Sequence, residues 1–161
     1  MAALPPYLAT IQADWIDYNG HLRDAYYGLV LSYAIDDVME HLGLNAAYRV
    51  STHCTLYTLE LHLHYLHEVK GTDALSVQTS VLDADAKRFL AGCTFTCPRV
   101  AAPVAVGEVM LLHVRQAEAP ASAPFPPEIA ARLQALTLDP AARAAFGPRS
   151  RQLEIKRRGP A

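Results

Sequence analysis

Asp14-Trp15-Ile16-Asp17-Tyr18-Asn19-Gly20-His21-Leu22-Arg23-Asp24 runs directly into Ala25–Leu42, an apolar stretch without proline. The second half of this stretch decides the fold. Tyr26, Tyr27, Leu29, Val30, Leu31, Tyr33, Ala34, Ile35, Val38, Met39 and Leu42 are apolar, whereas Ser32, Asp36, Asp37, Glu40 and His41 gather in one narrow stripe at i, i+4, i+8 spacing. This pattern predicts a helix over Ala25–Leu42 that is apolar around most of its circumference and is therefore wrapped on most sides by the rest of the protein. Asp24 near its start complements the helix dipole, and Gly43 ends it. The preceding turn packs carboxylates, an imidazole, an amide and a glycine between aromatic residues, at the mouth of that helix.

On the N-terminal side, Tyr7–Ile16 reads as a first strand. On the C-terminal side, Cys54–His67 alternates, with Tyr57, Leu59, Leu61, Leu63 and Tyr65 on one face and Thr58, Glu60, His62 and His64 on the other. A period of two over that length predicts a strand with one buried face. Ala74–Leu82, Arg88–Cys97 and Val104–Val114 follow as strands joined by short turns, which predicts an antiparallel meander. The order is strand, long buried helix, four antiparallel strands, peripheral helices. The expected class is α+β, with a long central helix wrapped by an antiparallel sheet. Residues 1–118 are expected to form this domain. In 119–161, Ala119–Pro127 reads as a linker, Pro127–Leu136 and Asp139–Phe146 as short helices with proline at N1, and the end as a basic tail.

A chain of 161 residues, 52% hydrophobic and 19% charged, suits one globular domain. A net charge of −2 gives no electrostatic case for nucleic acid. The charge is unevenly placed: Arg149, Arg151, Lys156, Arg157 and Arg158 face a single acid, Glu154, in the tail, leaving the first 148 residues with nine basic against fifteen acidic groups. Such a tail is a solvated end or a hold for a phosphate-bearing ligand. No apolar run approaches a membrane span and the N-terminus lacks a signal-peptide pattern, so a cytoplasmic protein without membrane association is expected. Cys54, Cys93 and Cys97 are an odd, sparse set, expected as reduced core thiols with no metal bound.

Two readings of Asp17 stand open from the residues: a cap for its own turn, and a carboxylate that attacks or activates water. His21 is likewise a locally bonded turn residue or a functional one. Asp36 and Asp37 read as a solvated helix stripe, with a carboxylate site on the helix as the alternative. Glu60, His62 and His64 share a strand face but lack a third ligand at suitable spacing, so an exposed or subunit-facing surface is expected.

Asp17-Tyr18-Asn19-Gly20-His21-Leu22, ahead of a tyrosine-rich apolar helix, resembles the hotdog-fold acyl-CoA thioesterases of the 4-hydroxybenzoyl-CoA thioesterase type. Glu68-Val69-Lys70-Gly71-Thr72-Asp73-Ala74-Leu75 resembles the turn between the second and third strands of that family. Leu44-Asn45-Ala46-Ala47-Tyr48 and Glu108-Val109-Met110-Leu111-Leu112-His113-Val114 are similar, more narrowly, to the betainyl-CoA thioesterases of carnitine breakdown. The resemblance implies that Asp17 is the catalytic carboxylate. It also implies that Gly20 lets the chain turn and that backbone N–H groups at the helix start stabilise the oxyanion; His21, at a position that varies across the family, is grouped with Asp17 and Gly20 as a catalytic residue in a supporting role. It implies coenzyme A as part of the substrate and no separate cofactor. Homodimers or homotetramers are implied, with Thr58 or Glu60 of a second subunit completing the pocket. Trp15, Tyr18, Tyr26 and Tyr27 read as core and interface packing or, for some of them, as an aromatic cage around a quaternary ammonium acyl group, with Asn19 and Asp24 as candidates for further substrate contacts. Two rivals remain. The Asp17…His21 spacing also resembles the Asp-x-Asn-Pro-x-His element of hotdog enoyl-CoA hydratases, although one residue shorter and without the proline. A non-catalytic acyl-binding or scaffold domain is the other.

Overall fold

Asp24–Leu42 forms helix α1, and one face of it lies in the core through Tyr27, Val30, Leu31, Ala34, Ile35, Val38, Met39 and Leu42; on the rest of the predicted apolar circumference Tyr26 and Leu29 are half-buried and Tyr33 is 43% exposed, so the helix is covered on fewer sides than expected. Ser32, Asp36, Glu40 and His41 are exposed along the polar stripe. Gly43 stops the helix in the left-handed region (φ 86°), its N–H bonded back to Glu40 and Met39 carbonyls. The computed structural model describes residues 4–149. The expected tail beyond Arg149 lies outside the described residues.

A short helix α2 (Ala46–Thr52) follows, capped by Asn45, whose side chain accepts the Tyr48 N–H. This segment was not expected to be helical. The strands are β1 (Tyr7–Ala9), β2 (Cys54–Tyr65), β3 (Leu75–Ala84), β4 (Arg88–Cys97), β5 (Val100–Arg115) and β6 (Ala121–Ser122). They form one antiparallel sheet in the order β1-β3-β4-β5-β2, with β6 on β5. The meander is as expected. The first strand is shorter than expected, because β1 pairs only with Leu75–Val77 at the very start of β3 and has no partner beyond Ala9. The chain then leaves the sheet through a 3-10 turn at Ala13–Trp15.

The sheet curls around α1. On β5, Ala105, Val109 and Leu111 join the core. Gly107 is there because a Cβ would lie 2.6 Å from Leu31 Cδ1, so the missing side chain lets the helix seat on the sheet.

β2 departs from the simple alternation. A bulge at Leu59 shifts its register on β5, so Thr58 pairs with Leu111 and Leu61 with Val109, both on the helix side, while Tyr57 pairs with Leu112 and His62 with Glu108 on the other. The extra residue flips the alternation within the strand. β2 is also a sheet edge, so Leu59, Leu61 and Tyr65 are 55%, 41% and 53% exposed in the single chain, in place of the buried face expected.

Residues 119–127, read as a linker, carry β6 and the buried Ala123 and Phe125. Helix α3 (Pro127–Leu136) then buries Ile129 and Leu133 in the core, which contributes about 3–6 kcal/mol for the pair. Arg132 of α3 donates to the Leu42 carbonyl at 2.7 Å, satisfying one orphan acceptor at the end of α1. Helix α4 (Pro140–Ala145) is capped by Asp139 as expected. Beyond it, Phe146 lies over Gly92, where a Cβ would meet its ring at 2.5 Å, and Arg149 pairs with the buried Glu108. No helix among the described residues is long and apolar enough to cross a membrane. All three cysteines are buried free thiols, and burial pushes the Cys93 thiol up to about 12.

Candidate active site

Backbone hydrogen bonds close the Asp17–His21 turn. The Gly20 N–H donates to the Asp17 carbonyl at 3.0 Å, and the Asp17 N–H to the His21 carbonyl at 2.8 Å. Gly20 has φ +80°, which a residue with a Cβ adopts only at a cost. The Asp17 carboxylate folds into its own turn, where Oδ1 accepts the Asn19 N–H at 2.8 Å and the His21 N–H at 3.0 Å. The His21 N–H is the main reason its pKa lies below the ordinary 3.8; partial burial opposes this, and the Asn19 N–H adds to the lowering. Asp17 is therefore ionised at neutral pH. The capping reading of Asp17 is thus realised at Oδ1, while Oδ2 has no hydrogen-bond partner among the described residues.

The turn delivers the chain to the start of α1. Ile16 and Leu22 bridge each other, the Leu22 N–H donates to the Val69 carbonyl at 2.8 Å, and the Arg23 N–H to the Trp15 carbonyl at 3.0 Å. Arg23, at the N-cap, makes no side-chain cap; Asp24 Oδ1 instead accepts the Ala25 N–H at 2.9 Å. Beside this helix end lies a cleft of about 280 Å³ lined by His21, Leu22, Asp24, Tyr27, Tyr65, Leu66, His67 and Glu68. His21 Nε2 is 3.1 Å from Glu68 Oε2. The Tyr65 ring meets Tyr27 edge-on at 5.2 Å, and its hydroxyl donates to the Asp24 carbonyl at 3.2 Å. Burial, with Cys97 and Tyr65 nearby, pushes the Tyr27 phenol up to about 12, so it stays neutral.

Of the residues predicted from sequence, His21, Asp24 and Tyr27 line this cleft. Asp17 and Gly20 sit on the adjoining turn without lining the cleft itself. Trp15 and Tyr26 stack on each other at 5.1 Å with planes 13° apart, Tyr18 is 94% exposed, and Asn19 is exposed. The four candidate aromatics therefore do not gather at one place within the chain, and Tyr27 alone of them lines the cleft. Consecutive helical residues diverge by about 100°, so Tyr26 goes to Trp15 while Tyr27 turns into the core against Phe95. Thr58 lines a second cavity with Gly28, Ser32 and Leu61, and Glu60 faces the other way, 2.8 Å from His62. Tyr65, Leu66, His67 and Glu68 line the cleft unpredicted, although they end the long strand at the turn that the resemblance singled out.

The largest cavity described, about 610 Å³, lies further along α1 and includes Asp36, Asp37, Glu40, Tyr7 and Tyr33. Asp36 is twelve residues past Asp24, or about 18 Å along the helix axis, so this groove is separate from the turn. Among the described residues, no three His, Cys, Asp or Glu side chains converge as metal ligands.

The family model described as "Thioesterase-like superfamily" matches residues 11–133, a span holding the turn, α1 and all the long strands. The chain belongs to the thioesterase-like superfamily. It is accordingly a thioester hydrolase, and its helix-in-sheet architecture is the hotdog fold. A betainyl-CoA thioesterase of Pseudomonas aeruginosa is 44% identical over 133 residues, covering 83% of each chain. An L-carnitine dehydrogenase/betainyl-CoA thioesterase of Agrobacterium fabrum is 41% identical over 106 residues, or 66% of this chain but 22% of that longer protein. Among solved structures, a candidate thioesterase from Pseudomonas putida KT2440 superposes with a TM-score of 0.77 at 38% identity, covering 97% of this chain and 99% of that one. A Staphylococcus aureus protein solved in complex with CoA shares the fold, with a TM-score of 0.77 at 24% identity over 91% of this chain and 94% of the other.

Proposed function

We propose that this chain hydrolyses acyl-CoA thioesters, betainyl-CoA among them, with Asp17 as the reacting carboxylate. The observation that carries the reading is the Asp17 turn itself: an ionised carboxylate with one oxygen held by two N–H groups and the other without a hydrogen-bond partner among the described residues, on the turn that leads into α1. Asp17 attacks the thioester carbonyl carbon, or takes a proton from the water that does; the thiolate of CoA leaves in either case. At the start of α1 the Ala25 and Tyr26 N–H groups are taken by Asp24 Oδ1 and the Arg23 carbonyl, so the Asp24 N–H, without a partner among the described residues, is the donor that holds the developing oxyanion. Gly20 sets the turn, and His21 holds it through its N–H.

The acyl end is assigned to the cleft beside the turn. Two aromatic rings, Tyr27 and Tyr65, and two carboxylates, Asp24 and Glu68, line it. A trimethylammonium group suits such a lining, through cation–π attraction of about 0.5–2 kcal/mol and nearby negative charge. A carboxylate at the helix start also works against oxyanion binding, so Asp24 makes most sense beside a cationic substrate. The identity to a betainyl-CoA thioesterase supports the same choice.

The edge strand β2, with exposed Leu59, Leu61 and Tyr65, supports assembly through a second copy. In a homodimer or homotetramer, Thr58 or Glu60 of the second subunit completes the pocket. Light scattering at micromolar concentration tests this, and a monomer would contradict it. The hydratase alternative is disfavoured because the His21 ring pairs with Glu68, whereas only its backbone N–H meets Asp17.

The test of substrate is thiol release from betainyl-CoA beside its neutral isostere, tert-butylacetyl-CoA. Preference for the cation is expected, and equal efficiency refutes the cation cleft. With an enoyl-CoA as substrate, loss of enoyl absorbance without thiol release would instead favour hydration.

A further inference from the structure

We infer that Arg99 and Asp73 are positioning residues for the Asp17 turn, acting through the 68–73 loop between β2 and β3. The inference rests on the reading that this turn carries the catalytic carboxylate. Neither residue lines the cleft.

The loop touches the turn on both sides. Its Val69 carbonyl accepts the Leu22 N–H at 2.8 Å, and Lys70 bridges His21. Gly71 lies against Ile16, where a Cβ would come 3.0 Å from Ile16 Cγ1. The residues before and after Asp17 are thus both braced by one loop. His21 is also the residue whose N–H holds Asp17 Oδ1.

The loop in turn is held by one carboxylate and one guanidinium. Asp73 Oδ2 accepts the Lys70 N–H at 2.8 Å, which closes the loop on itself. Arg99, from the turn between β4 and β5, donates through Nε to both Asp73 oxygens at 3.0 Å and through Nη2 to Oδ2 at 2.9 Å. Its Nη2 also donates to the Glu68 carbonyl. The Asp73 side chain is only 6% exposed, so its charge is met by this fork together with the Lys70 N–H and the Cys97 thiol. One planar group therefore pins both ends of the loop, a geometry that a lysine ammonium lacks. The path runs from Arg99 through Asp73 and the Glu68 carbonyl to Val69, Lys70 and Gly71, and from there to Ile16, His21, Leu22 and Asp17.

The test is Arg99→Ala and Arg99→Lys, with Arg88→Ala as control. Arg88 makes a similar fork to Asp85 in the turn between β3 and β4, without contact to the catalytic turn. Kinetics use whichever of betainyl-CoA, acetyl-CoA and 4-hydroxybenzoyl-CoA the wild type hydrolyses fastest. Amide hydrogen exchange of Asn19, His21 and Leu22 is followed by NMR. Arg99→Ala is expected to lower kcat about 10- to 100-fold, as for a misplaced reacting group, with KM within about twofold and faster exchange at all three amides. Arg99→Lys should lie between it and wild type, and Arg88→Ala should match wild type.

Unchanged kcat and exchange in folded Arg99→Ala overturn the inference, as does an equal loss in Arg88→Ala. If Arg99→Ala does not fold, Arg99→Lys decides by the same two readouts. Asp17→Asn separates the layers. Full activity there, or no turnover of any substrate by wild type, removes the underlying reading. Loss there beside an unaffected Arg99→Ala removes only the positioning role.

Discussion

Tyr48→Phe probes the one fully buried imidazole that joins α2 to the sheet. His113 is 1% exposed and stacks on Phe125 at 4.9 Å. Its Nδ1 lies 2.9 Å from the Ala123 carbonyl, which only accepts, so Nδ1 carries the hydrogen. In the neutral ring Nε2 is then an acceptor, and the Tyr48 hydroxyl donates to it at 2.8 Å. Phenylalanine removes the donor and leaves a buried acceptor unpaired, which costs about 1–3 kcal/mol. For a chain of this size each kcal/mol lowers Tm by about 2–4 °C, so a drop of roughly 2–12 °C is expected by circular dichroism at fixed protein concentration. The Tyr48→Phe/His113→Leu double variant should lose less than the two singles combined, with a coupling of about 0.5–3 kcal/mol. A Tm change below about 1 °C in Tyr48→Phe, or strict additivity in the cycle, refutes the tautomer argument.

The depressed Asp17 pKa places the acid limb of kcat/KM below the ordinary 3.8, because the ionised form persists until pH falls through the lowered value; a limb near neutrality in initial-rate profiles would assign the essential group elsewhere. Arg99 depresses the Asp73 pKa, so Asp73 stabilises the fold above the unfolded value of about 3.9 and loses that contribution as pH falls through its lowered folded value. The Tm gap between wild type and Asp73→Asn should therefore be widest at neutral pH and close in acid, and a gap independent of pH contradicts the ion pair. Glu68→Gln removes a carboxylate that is 71% exposed, which is worth about 0.5–1 kcal/mol; betainyl-CoA kcat/KM should fall about two- to fivefold, with tert-butylacetyl-CoA unchanged, and an equal fall for both substrates rules out charge recognition.

What the sequence made legible was local. The helix over Ala25–Leu42, the glycine stop at Gly43, the proline starts of α3 and α4 and the meander of β3–β5 each follow from periodicity or capping within one segment. Features set by distant partners were not legible. The bulge at Leu59 leaves no mark in composition, because Leu59, Leu61 and Leu63 alternate cleanly whichever residue is extra. β1 ends where β3 offers no further partner, and Phe125 looks like linker until Phe89 of β4 and His113 of β5 provide its surroundings. At the site, Asp17, Gly20 and His21 stood out because the turn is contiguous. Arg99 did not, since an arginine after Pro98 reads as a surface turn and its partner Asp73 is 26 residues away. Trp15 and Tyr26 part from Tyr27 for a local reason, the angle between consecutive residues on one helix, which leaves Tyr27 alone of the four candidate aromatics at the cleft. The two stretches whose resemblance pointed toward betainyl-CoA thioesterases, Leu44–Tyr48 and Glu108–Val114, meet through the Tyr48–His113 hydrogen bond, which links them structurally and outside the cleft.

The central claim is that Asp17 is the reacting carboxylate, and the direct measurement is thiol release from betainyl-CoA by wild type and Asp17→Asn, alongside binding of the same thioester. The substitution keeps size and turn geometry and removes the charge. Loss of about 100- to 10,000-fold in kcat with binding retained is the predicted result. Turnover within about tenfold of wild type would contradict it.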